Sequence, residues 1–439
     1  MSSPQLNKLA QALADVRVGT PTRRGVLVRV TGMILAARGI KAPLGACCEV
    51  VAEDGAPVAC EVVGFQGGEV MLMPFGGIAG LRPGAPVGLV STTARVGVGQ
   101  GMLGRVIDGL GMPFDGGPAI EPDVYLPLRG ERLNPLQRSA ITRPMDVGVR
   151  SLNCLLTIGE GQRVGLIAGS GVGKSVLLGM MTRFTQADAV VIGAIGERGR
   201  EVLDFVTETL GDEALRKAVV VASPGDCSPV LRVRAAHLSC TIAEYLRNAG
   251  QRVLLLMDSL TRVAHAQREI GLAVGEPPTT RGYTPSVFSL INEIVERAGN
   301  VAVGGSITGI YTVLAEGDDA NDPIVDAARA ILDGHVLLSR DLAAQGQYPA
   351  VDLGPSVSRL AGKLTSPEQR RLVTRFRRLH AVYEEGRDLL SVGAYRQGAN
   401  PELDLAIEMH PKLVDFLCQD ADEAVDYAQG FRDLERLLQ

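Results

Sequence analysis

The chain has 439 residues, 46% of them hydrophobic and 21% charged, enough to bury a large core, which excludes a disordered chain or a disulfide-dependent miniprotein. A formal net charge of −5, 4% aromatic residues and no Trp argue against a protein that grips nucleic acid through a basic, stacking surface. At roughly 150 residues per domain, the length sets an expectation of about three domains.

In chain order, residues 4–17 come first. Leu6, Leu9, Leu13 and Val16 recur at helix spacing, and Ser3-Pro4 can start the helix. This N-terminal amphipathic helix (1–21) packs on its own domain or docks a partner. Residues 22–95 then carry short β-type runs at Gly25–Val30, Met33–Ala36, Cys47–Val51, Ala59–Val63, Val70–Met73 and Pro86–Val90, separated by turn residues. Many short strands at even spacing predict a small sandwich or barrel. Residues 96–145 are rich in Gly and Pro and read as a connector of tight turns. From about 150 to 355, apolar runs alternate with helical patterns: Val164–Ala168, Ala189–Ile195, Ala218–Ala222, Val253–Met257 and Ser306–Leu314. That alternation predicts an α/β fold with a mainly parallel sheet. Residues 366–439 have helical period, broken at Gly393, Gly398 and Pro401, and predict a helical C-terminal domain. No apolar run reaches the ~18 residues of a membrane span, and the first residues lack the apolar core of a signal peptide. The seven cysteines are irregularly spaced without Cys-x-x-Cys, and read as small buried apolar residues in a reducing compartment.

The chemistry concentrates in the α/β segment. Gly169, Ser170, Gly171, Val172, Gly173, Lys174, Ser175 and Val176 follow the strand Val164–Ala168 and open a helix. Backbone N–H groups can surround a phosphate chain closely only where glycine permits the wrap. Lys174 then reaches the terminal phosphates, Ser175 offers a hydroxyl to Mg²⁺, and the helix N-terminus faces the anion. Ala168 stands where this loop usually has its first glycine. Val253–Met257 is a fully apolar strand ending in Asp258, a carboxylate for the metal shell. Alone it is a buried strand with a capping Asp; beside a phosphate loop it becomes the second half of a nucleotide site. Glu197 follows the strand Ala189–Ile195, at the sheet edge where α/β proteins bind ligands, and is the candidate to polarise a water.

Four segments in order, GSGVGKSVLLGMM (169–181), IGERGREV (195–202), LMDSLTRVAHAQREI (256–270) and GEPPTTRGYTPSVF (275–288), resemble the F1-type ATPase superfamily, and within it the flagellar and virulence type III export ATPases. The resemblance runs from about Arg24 to Leu417. It implies a β-barrel (22–95), a RecA-like P-loop ATPase core (96–365) and a helical C-terminal domain (366–439). It also implies ATP and Mg²⁺ as ligands and a homohexamer. By resemblance, Glu197 is the catalytic glutamate, Arg198 and Arg262 lie near the terminal phosphate, and Glu201 orders the metal's water shell. Tyr348 matches the tyrosine that stacks on adenine, and Arg359 the arginine finger lent to the neighbouring subunit. The implied partners are a stator-like regulator at the N-terminal helix, a central stalk, and an export gate with chaperones and export substrates, but no nucleic acid. The implied location is cytoplasmic, peripheral to the inner membrane. SVLLGMM and TRFTQADAVVIG lean towards the flagellar members. A virulence export ATPase, a catalytic subunit of a rotary ATP synthase, an RNA translocase and a non-enzymatic scaffold are the other readings.

Overall fold

A computed structural model describes residues 24–130, 134–315 and 322–439. The expected N-terminal helix lies outside the described residues. Two compact units divide between Ala94 and Arg95.

In the first unit, six strands close a barrel in the order β1-β2-β5-β4-β3-β6. They are β1 (Gly25–Thr31), β2 (Ile34–Arg38), β3 (Cys47–Val51), β4 (Pro57–Gln66), β5 (Glu69–Pro74) and β6 (Pro86–Ser91). All six expected runs form strands. Closure leaves no edge, and the inward residues Leu27, Leu35, Cys48, Val50, Cys60, Val62, Leu72 and Val87 fill the interior.

The second unit opens with β7 (Arg95–Val98), β8 (Val106–Ile107) and β9 (Val124–Pro127). The connector is therefore more than turns. β7 pairs with β9, and β8 joins the main sheet beside β12 (Ala218–Ser223). Two residues are too few to show a period, so β8 leaves no trace in the sequence pattern.

The remaining strands are β10 (Arg163–Ala168), β11 (Ala189–Ile195), β13 (Arg252–Asp258), β14 (Gly299–Asn300), β15 (Ser306–Leu314), β16 (Gly334–Leu338) and β17 (Val351–Ser358). The main sheet runs β17-β16-β10-β15-β13-β11-β12-β8, with β14 beside β15. β8, β10–β13, β15 and β16 are parallel, and β17 returns antiparallel along the β16 edge. Burial on both faces explains why β11 and the Ala218–Ala222 part of β12 read as unbroken apolar runs. β17 carries a bulge. His335 faces Val357 and Leu337 faces Asp352, so the Leu353–Ser356 stretch stands opposite Val336 alone. The hydroxyl of Ser356 donates to the Asp352 carbonyl and accepts from the Leu337 N–H at 2.9 Å. Arg377 donates to the carbonyl of Leu353 at 3.3 Å and of Leu155 at 3.2 Å.

Three helices, Pro367–Ser391, Pro401–Leu417 and Tyr427–Leu438, make up the C-terminal stretch. Ser366, Asn400 and Asp426 cap their N-termini. Phe376, Leu413, Phe416, Leu434 and Leu438 belong to the same continuous core as the sheet residues Leu166 and Val336. No described helix is long and apolar enough to cross a membrane. Of the seven free cysteines, Cys48, Cys60, Cys154 and Cys240 are buried, whereas Cys47, Cys227 and Cys418 are only half-buried. The reading of all seven as buried is corrected at those three positions, which lie at a strand end or in loops.

A buried ion pair in the second unit joins Arg297 to Glu244. Arg297 meets Glu244 through two bonds of 2.7 and 2.6 Å, and also donates to Thr241 at 2.9 Å and the Leu128 carbonyl at 3.0 Å. Glu244→Ala leaves the guanidinium buried without its carboxylate, and is expected to cost about 3–5 kcal/mol in urea unfolding. The double change Glu244→Leu/Arg297→Met is expected to recover most of that loss.

Candidate active site

The phosphate loop leaves β10 at Ala168, in the middle of the sheet. Gly171 and Gly173 have φ of 76° and 81°, the left-handed region that glycine enters without strain. Gly173 caps the helix Lys174–Phe184. Val172 is 1% exposed and anchors the loop in the core. Gly169 is buried, while Ser170, Ser175 and Val176 face outwards around the loop and the first helical turn.

Behind the loop, Lys174 meets two acids. Its Nζ lies 2.6 Å from Asp258 Oδ1 and 3.2 Å from Glu197 Oε1. β11 and β13 are parallel neighbours, with Ala194 opposite Asp258, so both carboxylates emerge at the same sheet edge. The three side chains are only 12–16% exposed. Burial disfavours the ammonium, yet Asp258 and Glu197 together hold the Lys174 pKa above its ordinary value. Burial pushes Asp258 up, Glu197 adds to this, and Lys174 opposes it. Thr312 Oγ1 donates to Asp258 Oδ1 at 2.6 Å. That oxygen thus accepts from both Lys174 and Thr312. Nothing in the sequence singled out Thr312, which sits within an apolar run.

The other expected residues are less uniformly gathered. Arg198 is 87% exposed and lies 3.5 Å from Glu201, itself 49% exposed. They pair with each other at the start of the helix Gly199–Asp204. Arg262 opens the helix Leu260–Ala273, and its aliphatic carbons fill the space a Cβ on Gly196 would take, 2.6 Å away. Its Nε is buried without a hydrogen-bond partner. Arg262 lines a hollow of about 240 Å³ with Gly169, Ser170, His265 and Arg340. A guanidinium side chain that lines a hollow with the phosphate loop suits an anion.

Tyr348 lies on the other side of the loop. A Cβ on Gly173 would stand 3.2 Å from its ring. The ring borders an apolar hollow of about 380 Å³ with Val176, Leu177, Met180, Pro349, Gln419 and Ala421. Such a pocket suits a flat heterocycle. Gln419 and Ala421 were not singled out, because only the folded chain brings them to Tyr348.

Arg359 is not gathered into this site. Val351 pairs with Leu338, which is level with Ala168 at the loop end of the sheet. Ser358 pairs with Gly334, the first residue of β16, at the opposite end. At about 3.3 Å per residue, Arg359 is roughly 15 Å or more from its own phosphate loop. It donates to the Arg329 carbonyl at 3.1 Å.

Ser175, Asp258 and Glu201 offer hard oxygen donors, the kind Mg²⁺ takes. Among the described residues, no group of three or more His, Cys, Asp or Glu side chains could hold a metal alone. The arrangement fits an ion that is held by one or two protein oxygens together with phosphate oxygens and water.

Family models match in three stretches. Residues 27–88 match the beta-barrel domain of the ATP synthase alpha/beta family, 148–358 its nucleotide-binding domain, and 365–436 the T3SS EscN ATPase C-terminal domain. A flagellum-specific ATP synthase of Pseudomonas aeruginosa is 53% identical over 422 residues, covering 95% of this chain and 94% of the relative. A type 3 secretion system ATPase of Xanthomonas euvesicatoria is 47% identical over 420 residues, with 95% and 94% covered. Among solved structures, the assembled ATPase EscN of the enteropathogenic E. coli type III secretion system superposes with a TM-score of 0.90 at 40% identity, covering 94% of this chain and 100% of that one. EscN in complex with its central stalk EscO gives 0.87 at 39% identity, with 94% and 100% covered.

Proposed function

The chain belongs to the ATP synthase alpha/beta family, in the branch that carries the EscN-type C-terminal domain, and from that premise we propose that it is the ATP-hydrolysing motor of a type III protein export apparatus, of the flagellar kind, working as a homohexamer. One observation carries the reading: the Lys174 ammonium held between Asp258 and Glu197 at the end of adjacent strands, directly behind a glycine loop. A lysine used only for packing would not be set there.

The chemistry follows from those residues. The loop amides from Gly169 to Ser175 surround the phosphate chain, and Lys174 turns from the carboxylates to the terminal phosphates. Ser175 and Asp258 would hold Mg²⁺, and Glu201 would order its water. When bound, the ion neutralises charge on the phosphate oxygens. Thr312 still holds one Asp258 oxygen once Lys174 has turned away, which keeps in place the carboxylate that would help hold the ion. Glu197 orients the attacking water and accepts its proton. Arg262 offers its unsatisfied N–H to the transferred phosphate, and Arg198 swings in from solvent to join it. Adenine stacks on Tyr348. Arg359 serves the site of the next copy in the ring, since its own site lies at the far end of the sheet.

Around this motor we place a stator-like regulator at residues 1–21, a central stalk in the ring, and peripheral contact with the cytoplasmic face of the inner membrane at an export gate. There, chaperones release their export substrates. Similarity to proteins named flagellum-specific supports the flagellar assignment over the virulence one. The test is the purified full chain with Mg-ATP. Turnover per chain is expected to rise steeply with protein concentration as rings close. A rate per chain that stays flat while gel filtration shows assembly would remove the shared site. A requirement for a second kind of subunit would favour a rotary synthase instead.

A further inference from the structure

Gln419 links three parts of the nucleotide pocket. Its backbone N–H donates to the Tyr348 carbonyl at 2.9 Å. Its side chain is 5% exposed, and every polar atom of it is engaged. Nε2 donates to the carbonyls of Gly148 at 2.9 Å and Glu423 at 2.7 Å, and Oε1 accepts from the Arg150 N–H at 2.7 Å. Gly148 is pressed against the last turn of the phosphate-loop helix, where a Cβ would come 2.1 Å from Phe184 Cβ. The amide therefore fixes the 418–423 turn to the base of that helix. From there the backbone of Gln419 holds the segment that carries Tyr348.

We infer that Gln419 is a positioning residue for the nucleoside end of the substrate, setting the gap between the Tyr348 ring and the phosphate-loop helix. This rests on the reading of the site as a nucleotide pocket. Both amide hydrogens are already committed, so the side chain acts through Tyr348 and not by bonding the base. The phosphate end does not depend on it, because Lys174, Glu197 and Asp258 are held by β11, β13 and Thr312.

Gln419→Met keeps the volume and removes the three amide bonds. In the full-length protein, KM for ATP is expected to rise about tenfold while kcat stays within about twofold. Inhibition by inorganic tripolyphosphate, which has no base to stack, is expected to keep its wild-type constant. A purely architectural role would weaken ATP and tripolyphosphate alike, and that result overturns the inference. An unchanged KM overturns it too. If Gln419→Met fails to fold by circular dichroism, Gln419→Glu, which keeps the acceptor and loses both donors, is put through the same pair of titrations. Its failure to fold as well would make Gln419 architectural and overturn the inference. Wild-type protein on which tripolyphosphate and ATP do not compete would instead sink the nucleotide-site reading, whatever Gln419 does.

Discussion

Glu197→Gln is expected to lower ATP turnover by about 10²–10⁴-fold while leaving nucleotide binding intact. The change is isosteric and removes only the charge. Glu197 follows the end of β11 with Oε1 3.2 Å from Lys174, the cation proposed to meet the terminal phosphate. An amide can still accept a hydrogen bond from that water but cannot take its proton. Binding is expected to survive because the loop amides, Lys174 and Tyr348 are untouched, and Asp258 at 2.6 Å still holds Lys174 in place before nucleotide enters. Asp258 also loses a repulsive neighbour that helped push its pKa up, so its charged form becomes easier to hold. The measurements are phosphate release at saturating Mg-ATP and titration with a fluorescent adenine nucleotide. Turnover near wild type would show that another group handles the water. Lost binding would show that Glu197 holds the site together and has no chemical role in it.

Arg359→Ala is expected to cost about 10³–10⁵-fold in turnover, the range for an arginine supplied in trans to phosphoryl transfer. Geometry makes this prediction sharper than a simple knockout. Arg359 stands at the far end of the sheet from its own phosphate loop, so its loss and the loss of Lys174 fall on different sites of a ring. Each variant alone is expected to be inactive. Mixed in equal amounts, Arg359→Ala and Lys174→Ala chains are expected to regain roughly a quarter of wild-type activity. At that fraction of interfaces an intact loop meets an intact finger. No recovery in rings shown to be mixed would mean that Arg359 serves its own chain or serves none.

Much of this was legible because the physics is local. Six barrel strands and five sheet strands stand out as apolar runs between turn residues. The loop from Gly169 to Ser175 announces itself because a phosphate chain demands glycine at those places. What stayed hidden depends on chain direction and distant contact. β17 contains Gly354-Pro355, which reads as a turn, and only pairing with β16 makes it a strand. Its length separates Tyr348 from Arg359, and its antiparallel sense decides that Tyr348 lies at the phosphate-loop end of the sheet and Arg359 at the other. Gln419 lies in a polar turn after a helix, and its place beside Tyr348 comes from core packing that joins the C-terminal helices to the sheet. Arg198 is a different case. Its motif was recognisable, but its side chain points to solvent, so its role needs a movement that the sequence pattern does not describe.

The bulge in β17 has a mechanical consequence. In a ring of the proposed kind, this strand starts beside one adenine and ends at the arginine that completes the next site. A bulge is where such a strand would flex and absorb a push. Here it is tied across by Ser356 and gripped by Arg377 from a C-terminal helix. A strand braced in this way would have little slack at its middle to take up a displacement of either end. In such a ring the spacing between one adenine and the arginine of the next site would be held by a braced irregularity in one edge strand.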